Sequence, residues 1–129
     1  MSELKQSDYL NEFEIEWLKA LRSGNYKQGR GQLRYDENYC CLGVACDISK
    51  IGGWRQIYDD DNYYEYSYIL NKEKHSNSIF LPDTLAIKLN LDGPLGEKLM
   101  NLNDGGSSFV EIADFYEDYK KKLYLNKGE

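Results

Sequence analysis

Between Asn11 and Ser23 the apolar residues Phe13, Trp17, Ala20 and Leu21 recur at helical spacing, and Asn11 followed by Glu14 makes a capping box. An amphipathic helix is expected there, closed by Gly24 as a C-terminal cap. Asn25 to Gly31 lacks any period and reads as a loop, and Gln32 to Tyr35 alternates as a short strand does. Asp36 to Asn38 is a turn and a plausible cap for the next helix. Cys40, Leu42, Val44, Ala45, Cys46 and Ile48 are then apolar nearly all round a helix, which predicts a buried one. Gly43 costs that helix propensity, so its expected role is to let another element come close.

Gly52-Gly53 breaks the pattern, and Trp54 to Tyr58 and Tyr63 to Leu70 read as two strands of a hairpin joined through Asp59-Asp60-Asp61-Asn62. A polar loop over Lys72 to Ser78 leads to a short helix opened by Pro82 and running to about Leu89. Asp92-Gly93-Pro94 turns the chain into another short helix, about Gly96 to Leu102. Ser108-Phe109-Val110-Glu111 is a second capping box, ahead of Phe109, Ile112, Ala113 and Tyr116 at helical spacing, so a closing helix to about Lys122 is expected.

These elements make one α+β domain over residues 1–129: N- and C-terminal helices, a buried central helix and a small antiparallel sheet, with 1–8 and 124–129 expected to fray. The length suits a single domain, and 41% hydrophobic residues suffice for one core. No apolar run approaches a bilayer span and Met1 to Gln6 lacks a secretory stretch, so a cytoplasmic protein with no membrane partner is expected. Three cysteines within seven positions, Cys40, Cys41 and Cys46, read as reduced, buried thiols rather than disulfides. No Cys-x-x-Cys pair occurs and the single histidine, His75, lies in a polar stretch, so neither a metal nor another cofactor is expected.

Charge changes the picture more than composition does. The net charge of −6 argues against a nucleic-acid-coating surface. Yet Trp17 to Tyr35 holds five basic residues (Lys19, Arg22, Lys27, Arg30 and Arg34) and no acidic one, leaving 11 basic against 22 acidic elsewhere. Within that run Gly29 and Gly31 could expose backbone N–H groups, and Arg22, Lys27, Arg30 and Arg34 could supply charge and forked donors, with Gln28 between them. A small anionic or nucleotide-like ligand suits this candidate site, Tyr26 or Tyr35 stacking on its ring. A solvated basic loop, with Lys19 and Arg22 favouring the end of their helix, accounts for the same residues.

Other motifs carry less. Tyr58 to Tyr68 combines five tyrosines with Asp59, Asp60, Asp61 and Glu65, which suits an acidic protein-docking surface or a half-buried twisted hairpin. It is not a calcium loop, because Tyr63 takes the third ligand position and no glycine comes after it. Cys40 and Cys41 lack a neighbouring base, so packing explains them better than nucleophilic chemistry. Asn103-Asp104 before Gly105-Gly106 reads as turn and helix-entry chemistry.

Ala20-Leu21-Arg22-Ser23-Gly24, Gln28-Gly29 with Gly31 and Leu33-Arg34, Tyr39-Cys40-Cys41-Leu42-Gly43-Val44-Ala45-Cys46-Asp47, and Leu102-Asn103-Asp104 leading to Ser108-Phe109-Val110-Glu111-Ile112-Ala113-Asp114 together resemble a family of small uncharacterised proteins encoded mainly by bacteriophages. The resemblance spans about Trp17 to Glu117 and omits the tyrosine hairpin. It implies an accessory role in an infected bacterial cytoplasm and assigns no catalytic residue. With the basic loop, the expected function is that of a phage accessory protein with non-catalytic binding of a small anionic or nucleotide-like ligand, the alternatives being an acidic protein-binding inhibitor of a host enzyme and an uncharacterised hydrolase or transferase.

Overall fold

The computed structural model describes residues 4–57, 65–70, 81–91 and 93–126. The Asp59–Asn62 connection with Tyr58, Tyr63 and Tyr64, the Lys72–Ser78 stretch with His75, and Asp92 lie outside the described residues. The elements run α1 (Gln6–Tyr9), α2 (Glu12–Arg22), β1 (Lys27–Gln28), β2 (Arg34–Tyr35), β3 (Asn38–Tyr39), α3 (Cys41–Ser49), β4 (Gly52–Ile57), β5 (Glu65–Leu70), α4 (Asp83–Lys88), α5 (Gly93–Asp104) and α6 (Phe109–Asn126). The chain is thus an α+β domain of helices around a small sheet.

Both capping boxes form. Asn11 Oδ1 accepts from the Glu14 amide and Glu14 Oε1 from the Asn11 amide, each at 2.8 Å. Gly24, at φ +78°, takes the left-handed turn that ends α2. At the start of α6, Ser108 and Glu111 exchange bonds of 2.9 and 3.1 Å. Ser108→Ala is expected to cost about 0.5–2 kcal/mol, read as a lower denaturation midpoint at unchanged slope.

α3 is the buried centre: Cys41 through Cys46 are all buried, and the helix touches α2, α4, α5, β3 and β4. Its cap is not Asp36 to Asn38, as the sequence suggests, but Cys40, whose Sγ accepts from the Gly43 amide at 3.4 Å. Asp36 and Glu37 instead turn β2 into β3, which Asn38 begins, with Asp36 at φ 51°. Gly43 does what its position suggests: a Cβ there would lie 1.8 Å from the Leu33 carbonyl oxygen. The same carbonyl accepts the Cys40 amide at 3.1 Å, so the approach to β2 fixes where α3 begins.

The sheet has the order β1-β3-β2-β5-β4. It is mixed rather than wholly antiparallel, because Lys27–Gln28, inside the expected loop, pairs in parallel with Asn38–Tyr39. Gly52 and Gly53 begin β4 rather than break it; the change of direction falls at Lys50, φ 55°. α2 packs on both α3 and α6, with Trp17 edge-on to Tyr116 at 4.8 Å and its indole N–H on the Cys41 carbonyl. Glu14 is 1% exposed; its Oε2 meets the Tyr116 hydroxyl, which also meets the Leu89 carbonyl, and Lys120 Nζ lies 3.8 Å away.

Candidate functional site

The structure disperses the basic run. Arg22, at the end of α2, turns away from the loop and forks onto Asp114 and Glu117 of α6, 2.8 Å to each. Gln28 donates to the Asn103 side chain and the Ser107 carbonyl. The Gly29 amide bonds the Tyr39 carbonyl at 2.7 Å, and the Gly31 amide bonds the Asp104 carboxylate at 2.9 Å. Both glycine N–H groups that an anion would use thus have protein acceptors. Arg30 is exposed, its guanidinium on the side of Gly106.

Lys27 and Arg34 do share a small open cleft, about 460 Å³, but Asp36 and Glu37 line it too. Arg34 bonds the Asp36 carbonyl through Nε and spreads over the rings of Tyr39 and Trp54, 5.2 and 5.5 Å from their centroids. Tyr26 packs edge-on to Tyr39, and its hydroxyl donates to Asp47 at 2.6 Å. Burial and that bond push the Tyr26 hydroxyl well above the ordinary phenol range. Trp54 reaches the same carboxylate at 3.1 Å. Tyr35 is half-buried on β2. These rings form a packed seam between sheet and α3, stabilised by edge contacts and by the cation over two faces.

Asn103 is the residue that sequence reasoning undervalued. It is wholly buried; its Oδ1 accepts from Gln28 and from the Cys41 amide, and its Nδ2 donates to the Gly29 carbonyl at 2.7 Å. One amide thereby ties the end of α5 to β1 and to the start of α3. The three thiols are free and buried; burial lifts Cys40 to about 11 and Cys41 and Cys46 well above their ordinary value. Such thiols are poor nucleophiles. Among the described residues no group of three or more His, Cys, Asp or Glu is placed to hold a metal ion, and no helix is long and apolar enough to cross a membrane.

Arg22 gives the α2–α6 contact a pH dependence. Partial burial alone would raise the Glu117 carboxyl, but bonds from Arg22, Tyr9 and Gln6 outweigh it and hold the group below the usual glutamate range. A carboxyl depressed in the folded state contributes stability above its unfolded pKa, lost as pH falls through the folded value. Arg22→Gln should therefore flatten the acid limb of stability against pH below about 4.3, the unperturbed glutamate value. An acid limb identical to the parent's counts against this.

A larger concavity lies elsewhere. Between α3, α4 and α5 is a groove of about 700 Å³, floored by Leu42, Leu81, Ala86, Leu91 and Met100. Its remaining lining is Asp83, Gly96, Glu97, Asn101 and Asp104, so among the described residues three carboxylates and no lysine or arginine line it. A Cβ on Gly96 would meet nothing within 4 Å. No local motif announces this groove, since Leu42, Asp83 and Glu97 come from three separate helices. No curated protein and no solved structure matches the chain. A family described as a domain of unknown function, DUF8296, matches residues 10–120, and the chain belongs to that family.

Proposed function

We propose that this chain is a non-catalytic protein-binding module whose α3–α4–α5 groove takes a basic, amphipathic segment of a partner protein. The observation that carries the reading is the groove's lining, an apolar floor with Asp83, Glu97 and Asp104 and, among the described residues, no compensating base. Apolar anchors supply binding energy by leaving water, and rim charges select partners of opposite sign and speed their encounter. The volume lies within the range of about 300–1,000 Å³ used for specific pockets. The chain's net charge of −6 adds long-range attraction for such a segment. Resemblance to small phage-encoded proteins supports an accessory role in an infected bacterial cytoplasm, with a host enzyme as partner. The small-anion reading rests on Lys27, Arg30 and Arg34 alone, because the Gly29 and Gly31 amides are engaged within the protein.

The test is fluorescence anisotropy with a labelled helical peptide of alternating leucine and lysine faces. Saturable binding is expected, weakening as salt rises and falling on the order of tenfold or more in Gly96→Arg, which puts a cation into the groove. Lys27→Ala with Arg30→Ala, both exposed, should leave it unchanged. Binding indifferent to Gly96→Arg would sink the reading. ATP binding lost in the Lys27 and Arg30 double variant would put the anion site in its place.

A further inference from the structure

Residues 121–126, the last turns of α6, are all exposed, and Leu123, Tyr124 and Leu125 present 39%, 43% and 53% of their surface to solvent. The sequence from 119 to 128 carries four lysines and no acidic residue. Lys121 and Lys122 stand beside this apolar tip, Lys122 pairing with the exposed Asp118 in a contact of little strength. One molecule therefore bears a basic, apolar helix end and, on other helices, an acid-lined apolar groove.

We propose that the end of α6 seats in the α3–α4–α5 groove of a second copy, so that the chain associates head to tail. The inference rests on the groove being a binding site and names one occupant for it. Leucine and tyrosine of the tip cover the floor, and Lys121 and Lys122 face Asp83 and Glu97. Charge complementarity selects this pairing over groove-to-groove contact, which sets acid against acid. The cleft of about 690 Å³ that Leu123 and Tyr124 line with α1 holds Asp8 and Glu14 as well as Lys120, so tip-to-tip contact there is the rival pairing, which the groove variant separates from this one. The contact is heterologous: a head-to-tail pair keeps one free tip and one free groove between its two copies, and self-association competes with any partner for the same surface.

Sedimentation velocity on the full chain over a wide concentration range tests this. The parent should show mass rising with concentration, less so in high salt. Leu123→Asp with Leu125→Asp blocks the tip, and Gly96→Arg blocks the groove; each alone should weaken association at least about tenfold. Mixed in equal amounts, the two variants should form a heterodimer and nothing larger, because one retains a groove and the other a tip. A parent that stays monomeric overturns the proposal, as does association undiminished in either variant. A mixture that stays monomeric while the parent associates also overturns it, and association lost in the tip variant but undiminished in Gly96→Arg puts tip-to-tip pairing in its place. If Gly96→Arg shifts the melting midpoint, Asp83→Lys with Glu97→Lys, both exposed, replaces it as the groove variant. Saturable peptide binding by a monomeric parent leaves the groove's function standing and removes only this inference.

Discussion

Gly43→Ala is expected to destabilise the fold by about 3 kcal/mol or more, the top of the range for overpacked cores. The added carbon would sit 1.8 Å from the Leu33 carbonyl oxygen, a backbone atom that cannot rotate aside. Relief requires β2 to lift from α3, which breaks the bond from the Cys40 amide to that carbonyl. The sign is informative, since alanine for glycine inside a helix otherwise gains roughly 0.5–1 kcal/mol. Gly96→Ala, where a Cβ meets open space, should show that ordinary gain. Urea unfolding of the two variants side by side checks the pair, and equal midpoints would refute the close-approach account.

Asn103→Ala should be comparably damaging, about 3 kcal/mol or more, because unsatisfied buried polar groups cost about 1–3 kcal/mol each. It strands the Cys41 amide, the Gly29 carbonyl and one of the Gln28 amide's two acceptor contacts. Loss should spread unevenly: amide exchange at Gly29 and Gly31 should quicken more than at Trp17 or Leu18 in the α2 core. Uniform quickening would mean that Asn103 acts on the whole fold rather than on the β1 connection.

Signals confined to a few neighbouring residues were legible in the sequence. Asn11 with Glu14 and Ser108 with Glu111 cap their own helices, and Gly43 within an apolar run pointed to a close neighbour. What escaped was set by partners distant along the chain. β1 is two residues long, too short for any period, and exists because β3 and Asn103 hold it. Glu14 was legible only as half of a capping box, although its carboxylate is buried and meets the Tyr116 hydroxyl, which also meets the Leu89 carbonyl. The basic run looked like one site, yet Asp114 and Glu117 draw Arg22 to α6 while Asp104 takes the Gly31 amide. Buried cysteines were recognisable by composition, but the Cys40 thiol as a cap was not, since sulfur rarely fills that position.

The contacts joining α2 to α6 link residues that stand far apart in the chain: 102 positions for Glu14 and Tyr116, 95 for Arg22 and Glu117. A contact of that span closes a loop around nearly every other element, and its entropy cost grows by roughly 0.6 kcal/mol per doubling of length. Short-range pieces, such as the turn that seats Leu33 on Gly43, carry almost none of that cost and can form early in the collapse. Docking of α6 is then a late event on the folding path, and until it happens Trp17 lacks the Tyr116 ring and the acid at position 14 lacks its phenol. Substitutions in the α2–α6 seam should accordingly act on how fast the native state opens, while those around Gly43 act on how fast it is reached.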